Sequence, residues 1–164
     1  MKEINVRLGV NAPGEKVWEV LADYGGFLKW AGGSEDEITV EGEGIGMVRH
    51  LRMSGAELAE RLTVLDPGNR ILGYQLDYGE PIGMKEYKAR VQVVDAGSGC
   101  ELIWTGEFEA ADPGQEVQVG EALGAAYDGM TGALVSYLDR LRSVGQKKVK
   151  RVIKKRLNSE ELGI

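Results

Sequence analysis

The chain has 164 residues, the size of a single domain that can bury a core without disulfides or a structural metal. One histidine (His50) and one cysteine (Cys100) exclude an intrachain disulfide and a Cys/His zinc site, and no metal or other cofactor is expected. The net charge of −6 hides a division, because residues 1–146 carry 13 Lys and Arg against 24 Asp and Glu while 147–164 carry 7 against 2, and the acidic body argues against nucleic-acid binding.

Two segments follow from that division: a folded domain over 1–146 and a basic C-terminal extension over 147–164. No basic-then-apolar leader opens the chain, and no apolar run approaches the roughly 20 residues of a membrane helix, so a cytoplasmic location is expected. The 24 glycines, about twice the usual share, interrupt strongly patterned segments and mark turns, bulges or close approaches rather than disorder.

Residues 2–10 alternate, with Ile4, Val6, Leu8 and Val10 on one face, and predict a half-buried strand. Asn11 and Pro13 then open a helix carrying Val17, Trp18, Val20 and Leu21, which Gly25-Gly26 ends; Phe27–Trp30 allows one or two further helical turns. Six strands are predicted near 36–42, 46–53, 58–66, 70–78, 85–95 and 100–110, separated by Gly-, Pro- and Asn-containing turns too short to hold crossover helices. They therefore form an antiparallel meander. From Val117 the period changes, and Val119, Leu123, Ala126/Tyr127, Met130, Leu134, Tyr137 and Leu141 form the stripe of one long helix. Gly120, Gly124, Gly129 and Gly132 weaken that helix, and either close packing on the sheet or room for a bound molecule would compensate. Over 147–156, Val149, Val152, Ile153 and the following Leu157 share a helical face ringed by Lys and Arg. Such a tail suits an anionic membrane surface, nucleic acid, a partner or simple solvation.

Strand alternation exposes the polar residues that share an apolar face. Arg49 points with Met47, Leu51 and Met53, and Glu60 with Leu58, Leu62 and Val64. Buried unpaired charges cost several kcal/mol, so these two should pair with each other, with water or with a ligand. Tyr74, with Leu72, Leu76 and Tyr78, and Tyr87, with Ala89, Val91 and Val93, join the same face. An arginine, a glutamate and tyrosines on one concave apolar wall suit a pocket for a mostly apolar molecule carrying a few polar groups. The last strand is ambiguous: regular alternation turns Leu102, Trp104, Gly106 and Phe108 inward, whereas a bulge at Gly106 would turn in Glu107 or Glu109. No nucleophile elbow, zinc-protease motif or phosphate loop is present; Gly42–Gly46 reads as a turn and His50 as a surface residue.

The order strand, helix, short helix, six strands, long helix resembles the helix-grip fold of the START-like (SRPBCC) superfamily, which includes Bet v 1-like proteins, polyketide cyclases and abscisic acid receptors. Ala12–Trp18, Gly46-Met47-Val48-Arg49, Glu60-Arg61-Leu62 with Leu65-Asp66, Arg70…Tyr74, Tyr87-Lys88-Ala89 and Ile103-Trp104-Thr105 carry the likeness over about residues 2–143. The resemblance implies an α+β fold in which a curved seven-stranded antiparallel sheet wraps the long C-terminal helix around a cavity. It implies that Arg49, Glu60, Tyr74 and Tyr87 line that cavity, that Glu109 faces inward, and that Ser54-Gly55 and Gly79–Gly83 are entrance loops. Trp104, Tyr127 and Met130 complete the candidate ligand-binding set, and no catalytic residue is assigned. The expected function is binding of a small hydrophobic or aromatic molecule; polyketide cyclase or dehydratase chemistry on such a molecule, and a non-catalytic module using the basic tail, are the alternatives.

Overall fold

The computed structural model describes residues 1–161, with side chains to Arg156. The elements run β1 (Lys2–Val10), α1 (Gly14–Ala22), a 3-10 turn at Tyr24–Gly26, α2 (Leu28–Ala31), β2 (Glu37–Glu41), β3 (Val48–Met53), β4 (Ala56–Asp66), β5 (Ile71–Tyr78), β6 (Met84–Ala96), β7 (Gly99–Ala110) and α3 (Glu116–Glu161). All seven strands form one antiparallel sheet in the order β1-β7-β6-β5-β4-β3-β2. Short turns dictate this meander, and only β1 leaves sequence order to pair with β7. This is the helix-grip fold.

Register shifts bend the sheet. They fall between Ala59 and Glu60, between Leu62 and Val64 on β4, and between Met84 and Glu86 on β6. Each extra residue sharpens the local twist, so the long strands curl around α3 instead of lying flat. The first shift also corrects an expectation. Ala59 faces Tyr78 and Glu60 faces Leu76, so Asp77 is passed over, and Tyr78 turns outward with 65% of its surface exposed.

Helix α3 crosses the concave face with Val119, Leu123, Tyr127 and Leu134 almost fully buried. Two glycines set how closely it approaches. A Cβ on Gly106 would stand 2.5 Å from the Tyr127 hydroxyl and 2.9 Å from Leu123 Cδ2, and one on Gly120 would meet the Phe108 ring at 3.3 Å. Gly106 is thus a seat for the helix, not a bulge. Gly124, Gly129 and Gly132 have nothing within 4 Å of a Cβ, so close packing accounts for Gly120 alone.

The helix passes through Gly145 and Gln146 without a break, so the expected segment boundary falls inside an element. Every residue from Leu141 to Arg156 is exposed, including Leu141 at 49%, which the periodicity assigns to the buried stripe. Leu157, expected on the tail's apolar face, and residues 162–164 lie outside the described side chains and backbone respectively.

Candidate functional site: a cavity between the sheet and the long helix

A cavity of about 430 Å³ lies between the bent end of the sheet and α3. Its wall is built from Arg49, Leu51 and Met53 of β3, Ala56, Leu58 and Glu60 of β4, Tyr74 of β5, and Met84 and Tyr87 of β6. Phe27 and Ala31 close one side, Leu123, Ala126 and Met130 of α3 form the floor, and Ser54, Pro81 and Ile82 stand at the rim. Ser54 and Ile82 both have left-handed backbones, at φ 51° and 61°. For a β-branched residue such as Ile82 that conformation is a strained outlier, held between Pro81 and Gly83.

The polar centre of the wall is Arg49, only 4% exposed, with Glu60 at 6%. The antiparallel register sets them directly opposite each other. Glu60 Oε2 accepts hydrogen bonds from Arg49 Nε at 2.8 Å and lies 2.7 Å from Arg49 Nη2, while Nη1 donates to the Tyr24 carbonyl at 3.4 Å. Three rings stack around the guanidinium, with centroids at 4.1 Å (Tyr24), 4.2 Å (Phe27) and 5.0 Å (Tyr74). Such cation–π contacts strengthen where water is excluded. Burial opposes the charge on Arg49, but the facing Glu60 carboxylate and the tyrosines more than offset it, and the pKa ends above the ordinary arginine value.

A run of phenols continues from this centre. Tyr74 meets Tyr24 at 6.2 Å and Tyr87 edge-on at 6.0 Å, and the Tyr87 and Tyr127 hydroxyls share a 2.6 Å hydrogen bond. Tyr127 stacks on Trp104 at 4.8 Å, and Trp104 Nε1 donates to Thr131 Oγ1, which itself donates to the Tyr127 carbonyl. Burial pushes the Tyr74 phenol up to about 12, and it raises Tyr24, Tyr87 and Tyr127 further above the ordinary tyrosine range.

Of the eight candidate ligand-binding residues, five come together in the cavity wall: Arg49, Glu60, Tyr74, Tyr87 and Met130. Trp104 and Tyr127 are corrections. They are 2% and 0% exposed and do not line this cavity: Trp104 borders a small neighbouring void with Arg49 and Tyr74, and Tyr127 hydrogen-bonds the Tyr87 hydroxyl. Glu109 is a further correction. Strand β7 alternates without a slip at Gly106, so Phe108 faces in and Glu109 faces out, 2.8 Å from Lys85 Nζ. The lysine hydrogen bond holds the Glu109 carboxyl below the usual range. Phe27, Ala31, Leu123 and Ala126 were not singled out, because an inward apolar residue reads the same in sequence whether it packs or lines a void. Among the described residues, no group of three or more His, Cys, Asp or Glu side chains is placed to hold a metal ion.

The family model described as polyketide cyclase / dehydrase and lipid transport matches residues 1–142. The chain belongs to that family. The match ends where α3 leaves the body, so the family domain includes the whole cavity wall. Among solved structures, XoxI from Bacillus cereus is 22% identical with a TM-score of 0.72, covering 85% of this chain and 97% of its own. The Zhui aromatase/cyclase from Streptomyces sp. R1128 is 21% identical, also with a TM-score of 0.72, over 88% of this chain and 98% of its own. Norcoclaurine synthase from Thalictrum flavum, in complex with dopamine and hydroxybenzaldehyde, is 19% identical with a TM-score of 0.67, over 85% and 87%. At these identities the likeness shows the fold. No curated protein sequence is significantly similar to this one.

Proposed function

We propose that this family member encloses a small hydrophobic or aromatic molecule in the cavity between sheet and helix. The observation that carries the reading is a cavity of about 430 Å³ whose otherwise apolar wall is interrupted chiefly by the Arg49–Glu60 pair and the Tyr74 and Tyr87 phenols. That composition matches small-molecule sites, where apolar walls supply affinity and a few fixed polar groups orient the ligand. The norcoclaurine synthase complex, with dopamine and hydroxybenzaldehyde, shows that a protein of this fold can hold small aromatic molecules.

A cyclase- or dehydratase-type reaction is the second reading, favoured by the family match and by the likeness to an aromatase/cyclase. The phenols hold their protons far above neutral pH, so among the ionisable groups lining the cavity a general base at neutrality falls to Glu60. Native mass spectrometry of the purified protein tests the binding reading: a small apolar molecule should co-purify and be released on denaturation. A protein that carries none and binds no naphthalene-sized probe would contradict it. Turnover of an aromatic polyketide-like substrate, lost in Glu60→Gln with binding retained, would decide for the enzyme.

A further inference from the structure

The charges of the cavity cancel. Among the residues lining it, Arg49 and Glu60 are the only basic and acidic side chains, and they lie against each other at 2.7 Å. Arg49 is also largely engaged: three of its five N–H groups are directed at protein oxygens. Two nitrogens are taken by Glu60, the third faces the Tyr24 carbonyl, and ring faces cover the guanidinium. A carboxylate entering this space would leave water without gaining an unpaired cation, and it would meet Glu60 as a like charge. An ammonium group would face Arg49 in the same way. What the wall still offers is neutral: the Tyr74 hydroxyl, the capacity left to the Tyr87 hydroxyl beside its bond to Tyr127, and the Ser54 side chain at the rim.

We infer that the cavity selects an uncharged aromatic molecule bearing a carbonyl or phenolic oxygen, and rejects carboxylates and ammonium ions of the same shape. Arg49 is then a neutralised part of the wall and not an anion hook. This rests on the reading that the cavity binds small aromatic molecules, and the test separates the two.

Three probes of similar size decide it on the full-length protein at neutral pH: 2-acetylnaphthalene, 2-naphthoate and 2-naphthylmethylammonium, with Kd measured by calorimetry. The expected result is at least tenfold tighter binding of 2-acetylnaphthalene than of either ion. Binding of 2-naphthoate as tightly as the ketone would overturn the inference in favour of an anion hook, and equal binding of the ammonium would overturn it in favour of a cation site. If none of the three binds, the cavity reading itself fails. In Glu60→Gln the arginine loses its counter-charge, so the preference for ketone over naphthoate should narrow at least tenfold. Should that variant not fold, the wild-type ratios decide alone.

Discussion

Arg49 illustrates how one residue can be both conspicuous in sequence and muted in structure. Removing one partner of a buried pair strands the other charge at a cost of about 3–5 kcal/mol, whereas an apolar pair of equal volume is often tolerated. The pair is therefore weak support for stability and stronger support for a wall that keeps its shape. The phenols around it give a residue-scale prediction. Tyr74 ionises in the folded state near 12 and in the unfolded chain near its ordinary value of 10.0. Between those values the unfolded state binds fewer protons, so stability must fall as pH rises through that window. Tyr24, Tyr87 and Tyr127 shift in the same direction and steepen the fall. Urea midpoints should drop between about pH 9 and about pH 11, while phenolate absorbance at the higher pH stays lower in folded than in unfolded protein; flat midpoints would refute it.

At the scale of elements, α3 carries glycines of two kinds. Gly129 and Gly132 face open space, and Ala there should stabilise the helix by about 0.5–1 kcal/mol each. Gly106→Ala on β7 would drive a methyl into Tyr127 and Leu123, costing about 1–3 kcal/mol. Thermal melts should rise for the first two and fall for the third, and a neutral Gly106→Ala would mean that the helix can move off the sheet. The strands and the long helix were legible because alternation and turn chemistry are local signals. Glu109 and Tyr78 were not, since their direction depends on a bulge whose position is fixed by the partner strand: none at Gly106, one at Asp77. Arg49 and Glu60 stood out because a charge on an apolar face is rare. Phe27 and Leu123, equally part of the cavity wall, carried no such mark.

At the scale of the whole molecule, the cavity-bearing body and the end of α3 differ in how they are held. The body is locked by a continuous core from α1 to α3, whereas residues 141–156 are exposed throughout. Segments with few buried contacts open locally at low free energy. Brief trypsin treatment should therefore cut first within 147–156, where seven Lys and Arg fall in ten residues, and leave the body intact. Initial cleavage within the strands would show that the body is the looser part.

The exposed end of α3 also has an electrical consequence. Residues 147–164 carry a balance of +5 while residues 1–146 carry −11, and the 15 residues from Arg142 to Arg156 span about 22 Å of helix. That span exceeds the Debye length of roughly 8 Å at physiological salt, so the two poles do not cancel each other locally. The molecule is therefore charged unevenly, acidic over the body and basic over 147–156. A negative surface would attract the helix end and a positive one the cavity-bearing body.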